Sequence, residues 1–532
     1  MPTLNWIGKE AVVNHHRQVP YHLLRCDEKL SVGDPGSGNL LVQGDNLLAL
    51  KALLPYYAGQ VKCIYIDPPY NTGEQSWTYN DHVDSPEIRR WLGKVVGNPD
   101  DLSRHDKWLC MMYPRMSLLA KFLRDDGFLF VSLDDTELAR FTLMMEEVLP
   151  PDRYVTTFIW KSRRNLDSRH KQKVSIDHEY VVVYHGGEAS LRGGDKQMSK
   201  YSNPDNDPRG PWMSDNLVGL ATKDRRPNLH YSLVNPETGD VYPCPAKGWR
   251  YSRETMAQKI AEGRIMWPKN KGGRPRHKKF AEDLQSEFTG FSSLLECGNT
   301  NEGTEEVQCM LGGSPFIFPK PRSLVESLIE QVADDGDLVM DTFAGSGTTA
   351  HAVLSINKKD AKNRRFIMVE MESEIAATIT RQRLAKAIEG YSFSTPQGKQ
   401  VEVEGLGGGF RFCTLSHPVF DDTARIHPDV RFADLAAHVF FTETGEPIPK
   451  RPTGRTPLIG ECGGTAYYLL FNGVLGDKRP DGGNVLTSSI LEELPPFDGP
   501  KVIYGEGCRL GPARLKRENI TFKQVPYQIA TA

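Results

Sequence analysis

The run Asp341-Thr-Phe-Ala-Gly-Ser-Gly-Thr-Thr-Ala350 restricts the fold more than any other stretch of the chain. The apolar segment Leu338–Thr342 before it predicts a strand, Phe343–Gly347 a tight loop, and Thr348–Asn357 a helix. Gly345 and Gly347 let the backbone turn sharply and approach a ligand closely. Gly345-Ser-Gly-Thr-Thr-Ala350 satisfies the dinucleotide fingerprint G-x-G-x-x-A, and Glu370 closes the next predicted strand 25 residues after Gly345. An acid at that point grips ribose hydroxyls in nucleoside-binding folds. No lysine follows the glycines, which excludes a P-loop. A Gly-rich turn without a ligand is the plain alternative. If a ligand binds, it is NAD(P)/FAD or S-adenosylmethionine (SAM).

Two α/β blocks surround this loop. In the first, Asn39–Gln43 predicts a strand, Asn46–Leu54 a helix and Val61–Ile66 a buried strand. Helices follow over Lys107–Leu123 and Glu137–Val148, with strands over Gly127–Leu133, Tyr154–Trp160 and Glu179–Tyr184. The second block has a helix over Leu324–Val332, the strand and loop described above, a strand Arg365–Glu370 and a helix Ile375–Ile388. This alternation predicts a mostly parallel sheet with helices on both faces, to which both blocks contribute. Gly405–Gly409 reads as a boundary before an α+β C-terminal module, with strands near Ala466–Phe471 and Val502–Tyr504 and a helix near Phe432–Val439.

The strand Val61–Ile66 ends in Asp67, Pro68, Pro69 and Tyr70. Two prolines hold a rigid, extended turn at the carboxyl end of a strand, where open α/β sheets bind ligands. Prolines have no N–H, so the turn displays mainly acceptors. That suits an exocyclic aromatic amine, whose lone pair is delocalised into its ring. The Asp67 carboxylate and the Pro68 carbonyl can hold the two amine hydrogens and favour pyramidal nitrogen, aimed at the methyl of SAM. The Tyr70 ring can stack on a base turned out of the duplex. A Pro-rich turn with a buried tyrosine is the bland reading.

Charge is unevenly spread along the 532 residues. Residues 151–280 hold 25 Lys+Arg against 14 Asp+Glu, a balance of +11, while the rest carries −14. Two clusters stand out. One holds Lys161, Arg163, Arg164, Arg169, Lys171 and Lys173. The other holds Arg274, Arg276, Lys278 and Lys279. Both read as exposed loops, and Trp212, Trp249 and Trp267 lie between them. The pattern fits nucleic acid, although basic runs are also ordinary solvated faces.

The Asp-Pro-Pro-Tyr turn resembles the catalytic motif of amino-group DNA methyltransferases, and Phe343-Ala-Gly-Ser-Gly347 resembles their SAM motif. The catalytic motif comes first, which is the order of the β group. Gly44-Asp-Asn-Leu-Leu-Ala-Leu50, Phe318-Pro-Lys-Pro321 with Leu324–Ile329, Trp160-Lys161 and His178–Tyr184 resemble further segments of the group. The resemblance covers about residues 40–389 and is nearest to the adenine-N6 modification subunits of type III restriction systems. It implies a Rossmann-like SAM-dependent methyltransferase fold with circularly permuted motif order. The division would be an N-terminal extension (1–38), a catalytic half (39–189), an inserted target-recognition region (190–312), a SAM-binding half (313–390) and a C-terminal module (391–532). Asp67, Pro68, Pro69 and Tyr70 would carry methyl transfer to adenine. Asp341, Phe343, Gly345 and Gly347 would shape the SAM pocket, and Glu370 would hold the ribose, with Glu372 in its place if the strand runs longer. Asp45 would contact the SAM adenine or support the pocket, and Lys320 would line its methionine end. The basic clusters would contact duplex DNA, which makes binding salt-dependent. The resemblance also admits a homodimer and a restriction subunit as partners.

Other chemistries leave residues without a role. A C5-cytosine methylase needs a cysteine nucleophile; Pro243-Cys-Pro245 is the one candidate, and Cys244 lies in an irregular stretch. An N4-cytosine methylase shares the amine chemistry but more often has Ser where Asp67 stands. An NAD-dependent oxidoreductase leaves Asp67–Tyr70 idle. A non-catalytic DNA-binding subunit would not need Asp67, and RNA or protein methylases usually carry Asn there. Methyl transfer needs no metal. The histidines suggest no ligand cluster, with His15-His16 read as a surface pair. The nine scattered cysteines predict neither a disulfide framework nor structural zinc. No stretch reaches the ~20 apolar residues of a membrane span, and the N-terminal 30 residues lack a signal-type apolar core. A cytoplasmic protein is the expectation.

Overall fold

The computed structural model describes residues 3–72, 103–166, 173–196, 198–270, 272–284, 288–421, 423–474 and 476–529. Arg169 and Lys171 lie outside them. Two compact units emerge, one of residues 1–191 with 293–532 and one of residues 192–292.

The larger unit is built on a ten-stranded sheet. Its strands in chain order are β1 His22–Gly33, β2 Leu40–Gln43, β3 Val61–Ile66, β4 Leu123–Leu133, β5 Tyr154–Lys161, β6 His178–His185, β7 Leu294–Leu295, β8 Leu338–Asp341, β9 Arg365–Glu370 and β10 Gly409–Pro418. Across the sheet they run β1-β10-β2-β9-β8-β3-β4-β6-β5-β7. The six strands from β10 to β4 are parallel, and β1 and β6 run antiparallel to their neighbours. The middle strands read as nearly continuous apolar runs because helices cover both faces of a parallel sheet. All four residues of β8 are buried, as are five of six in β3 and in β9.

Chain order reverses between β8 and β3, which pair in register through Val339↔Cys63 and Met340↔Ile64. This switch point brings the two motifs together although some 270 residues separate them, and ligands bind at such crevices. Helix α1 (Asn46–Tyr57) and helix α2 (Arg104–Phe122) pack on each other, and Leu47, Leu50, Trp108 and Met112 enter the main core. Helix α3 (Leu138–Val148) joins them through Phe141 and Met145. Helices α4 (Thr300–Leu311), α5 (Arg322–Ile329), α6 (Thr348–Asp360) and α7 (Arg381–Glu389) form a second group.

The structure corrects several sequence expectations. The N-terminal 38 residues are no appendage, since β1 pairs antiparallel with β10 from His22↔Pro418 to Gly33↔Gly409. Its polar centre, Cys26-Asp-Glu-Lys29, hides the strand from an apolar pattern and suits a sheet edge. β10 lies beyond the boundary expected at Gly405–Gly409, yet it is a central-sheet strand. Residues 293–312 belong to the larger unit, where β7 pairs with Ile159 and Trp160 of β5. The predicted helix from Ile375 opens as a π-helical turn, Ile375–Thr380, before α7.

Further C-terminal, a four-stranded sheet of Leu458–Cys462, Thr465–Leu469, Lys501–Gly505 and Ile520–Gln524 packs with helix Phe432–Thr444. His15 and His16 are buried rather than a surface pair, and burial lowers the His16 pKa to about 4. His417, His427 and Asp429 come together with ligand atoms within 4.8 Å, contrary to the expectation of scattered histidines, although the two imidazoles stack face to face. Cys26 and Cys413 face each other across β1 and β10 and are bridged. No helix among the described residues is long and apolar enough to cross a membrane.

In the smaller unit, strands Ile265–Met266, Arg276–Phe280 and Trp212–Asn216 form a sheet. Its core gathers Leu217, Tyr231, Trp249, Met256 and Ile265. Trp249 is therefore packing, not an exposed aromatic. Arg276–Phe280 is a strand where a loop was expected, because buried Phe280 and His277 anchor it.

Candidate active site

Asp67 follows β3 directly, and its side chain pairs with Lys320 from a distant segment, beside Tyr70 of its own turn and Glu179 of β6. Lys320 Nζ lies 3.1 Å from Asp67 Oδ1 and 3.0 Å from Glu179 Oε2. Lys320 also donates to the Tyr70 hydroxyl at 2.7 Å, and that hydroxyl donates to Glu179 Oε2 at 2.8 Å. The ammonium sits 4.6 Å over the Tyr70 ring and 5.8 Å over Trp160, a favourable cation–π position. One buried lysine thus faces two carboxylates and a tyrosine. Burial pushes the Asp67 carboxyl above its usual range; Lys320 pulls it back and Glu179 pushes it further up. Burial lowers the Lys320 ammonium, but Asp67 and Glu179 outweigh that and hold it charged.

The rest of the turn is pinned from α2 and α3. Trp108 Nε1 donates to the Pro69 carbonyl at 2.6 Å. Asn71, in a left-handed conformation (φ 60°), donates to Glu137 Oε1 at 2.6 Å. The His105 ring lies on the same oxygen. Burial raises the Glu137 carboxyl to about 8 and lowers the His105 imidazole to about 4, so both are neutral near pH 7.

This pair sets a pH dependence with a definite sign. The Glu137 contribution to stability is fully present below its unfolded value near 4.5 and is lost as pH rises through about 8. Glu137→Gln keeps an acceptor for Asn71 and removes the titration. Urea unfolding from pH 7.5 to 8.5, above the span from about 4 to 6.5 over which His105 titrates, is expected to show the wild type losing stability relative to this variant. Parallel profiles would refute the assignment.

The second motif is equally anchored. Asp341 ends β8; its Oδ1 accepts from the Phe343 N–H at 2.9 Å and its Oδ2 from the Thr349 hydroxyl at 2.5 Å. Burial lifts its carboxyl to about 7. Glu370 is the last residue of β9, so the strand does not run on to Glu372. Its Oε2 accepts from the Gly345 N–H at 2.7 Å and its Oε1 from the Glu372 N–H at 3.0 Å. Gly345 and Gly347 adopt φ of 49° and 84°, the left-handed region that favours glycine. A Cβ on Gly345 would also lie 2.8 Å from Phe316 Cζ. Asp45 caps α1, accepting from Leu47 and Leu48 N–H and meeting Arg115 at 3.2 Å. Asn46 beside it donates to the Thr342 carbonyl, which ties α1 to the Gly loop.

Lys320 divides between the motifs. Its carbonyl accepts from Thr348 at the start of α6, while its side chain reaches Asp67 rather than the Gly loop. Sequence reasoning missed Glu179, which stands in the run His178–Tyr184 without a role, and Trp108. It also missed Arg383. This fully buried guanidinium donates to Ser346 Oγ and Thr348 Oγ1 at 2.8 Å each and pairs with Glu306 at 2.6 Å. No local pattern flags these residues, because each acts through a partner far away in the chain.

Among the basic residues, Lys161, Arg163, Arg164, Lys173, Arg274 and Arg276 are exposed. Lys278 is not: it is committed to Asp205 and Asp207 and lies over the Trp212 ring. Cys244 sits half-buried in the smaller unit, whereas Asp67 stands on the main sheet of the larger one.

A doubly wound sheet that sets an acceptor-rich Pro-Pro turn beside a Gly loop defines the class. Residues 61–381 match the family described as DNA methylase (N6_N4_Mtase), and the chain belongs to it. Among curated relatives, it is 30% identical over 456 residues to the StyLTI Mod subunit, a type III restriction-modification enzyme subunit of Salmonella typhimurium. That match covers 80% of this chain and 66% of the relative. The EcoP15I Mod subunit of Escherichia coli is 28% identical over 422 residues, covering 70% and 64%. The EcoPI Mod subunit of Escherichia phage P1 is 27% identical over 507 residues, covering 83% and 74%. The chain thus spans just under two thirds of the first two relatives.

Proposed function

We propose that this chain transfers the methyl group of SAM to the N6 amine of an adenine flipped out of duplex DNA, as the modification component of a restriction system. The observation that carries this is the position of Asp67 beside Lys320, Tyr70 and Glu179, at the crevice shared with the Gly loop. SAM supplies an electrophilic methyl carbon. The residues fit it: Glu370 closes β9 with lone pairs left for ribose hydroxyls, Phe343 is only partly covered, and Gly345 leaves the loop open to close approach.

The Asp67 carboxylate and the Pro68 carbonyl accept the two amine hydrogens, and Tyr70 offers its ring to the base. With the methyl donor bound, Asp67 would take the proton that the amine gives up and release it to solvent. A carboxyl raised above its ordinary range is suited to take that proton transiently. Lys320 keeps Asp67 oriented and limits how far its pKa rises. The exposed Lys161, Arg163, Arg164 and Lys173 of the larger unit, and Arg274 and Arg276 of the inserted one, are each suited to contact DNA phosphates.

Mass analysis of nucleosides from DNA treated with the protein and SAM tests the reading. N6-methyladenine is the expected product. N4-methylcytosine without N6-methyladenine would overturn the choice of base, and no methylated base would overturn the activity.

A further inference from the structure

A second cavity lies in the larger unit, at the opposite end of the sheet from Asp67 and Glu370. It has a volume of about 610 Å³, inside the range of small-molecule sites. Arg365, the first residue of β9, lines it, and the six-residue strand places it about 17 Å from Glu370 at the other end. Arg411, Arg431, Lys450 and Arg451 line it as well, together with the ring of Tyr56. The single acid in the wall, Asp434, is already taken by Arg25 through two contacts of 3.2 Å. Among the described residues, none of the other five cations has a carboxylate within 4 Å, and Arg411 Nε is buried without a hydrogen-bond partner.

Five unpaired cations around one cavity repel each other. The grouping is more telling because the chain outside residues 151–280 is net acidic, at −14. An anion in the cavity offsets that repulsion, and guanidinium forks match phosphate oxygens in pairs. Tyr56 adds a flat, half-buried face; its hydroxyl, pushed by burial up to about 12, stays neutral, and the Arg451 guanidinium stands 6.0 Å from its ring. We propose that this cavity binds a nucleoside di- or triphosphate, with the base against Tyr56 and the phosphates on Arg365, Arg411 and Arg451. The site is separate from the methyl-transfer crevice and does not rest on the reading given for that crevice.

Isothermal titration of the full chain with ATP, GTP and inorganic phosphate tests this. Nucleotide binding well above that of inorganic phosphate is expected. Arg411→Gln and Arg451→Ala should each weaken it about tenfold, the usual effect of losing a charged hydrogen bond. Arg451 is exposed, so its variant reports even if Arg411→Gln fails to fold. Glu370→Ala should leave nucleotide binding unchanged. Four results would each overturn the proposal: no nucleotide binding at millimolar concentration, equal affinity for inorganic phosphate, indifference to both arginine variants, or loss of binding in Glu370→Ala. Displacement of ATP by duplex DNA, with both arginine variants losing DNA affinity in step, would mark the cavity as DNA surface and overturn it too.

Discussion

Asp67→Ala is expected to reduce methylation by at least about a thousandfold while methyl-donor binding changes by no more than a few-fold. Asp67 is the charged acceptor of the turn, and loss of a positioned proton acceptor or of one electrostatic contact to a reacting group costs about 10²–10⁴ in rate. Donor binding persists because the Gly loop takes its shape from Asp341, Glu370 and Thr349, none of which touches Asp67. The fold also persists, since Lys320 keeps Glu179 as a partner at 3.0 Å and is not left as an isolated buried charge. Single-turnover methylation, beside equilibrium titration of SAM, separates the two effects. Full activity in the variant would refute the mechanism. Lost donor binding would show that the two motifs are not independent.

Arg383→Met is expected to destabilise the protein by about 3 kcal/mol, within the range for breaking a buried ion pair. Arg383 is fully buried and donates to Ser346 and Thr348 while pairing with Glu306. Methionine fills much of the volume but leaves two hydroxyls without their donor and Glu306 with one partner fewer. Arg322 remains 2.8 Å from Glu306, which keeps the loss near the low end. Because the lost hydrogen bonds hold the Gly loop, donor affinity should fall in the same variant. Urea unfolding gives the first number and titration of SAM the second. A stability change under about 1 kcal/mol would show that the network contributes little.

The elements legible in the sequence are those whose cause is local. Val61–Ile66 and Arg365–Glu370 are legible residue for residue because buried parallel strands are nearly continuous apolar runs, here broken only by Lys62 and by the terminal Arg365 and Glu370. The turn Asp67–Tyr70 and the loop Phe343–Gly347 announce themselves by prolines and glycines, whose backbone restrictions act within a few residues. β1 escaped notice because an edge strand can be polar, and its pairing with Gly409–Pro418 spans nearly the whole chain. Lys278 reads as a DNA contact in a basic run, yet it is spent on Asp205 and Asp207, acids that lie some seventy residues earlier.

By itself the sequence determined the alternating strands and helices, the acceptor-rich turn, the Gly loop and the separation of charge into a basic insert and an acidic remainder. Each follows from backbone stereochemistry, burial periodicity or composition over short windows. The tertiary structure alone decided that β3 lies beside β8, so that Asp67 and the Gly loop share one crevice. It also decided that Lys320 turns to Asp67 and Glu179, and that Arg383 is buried under the loop. Those choices depend on charges and hydrogen-bonding groups that find partners only after the chain has folded, when burial makes an unpaired group costly.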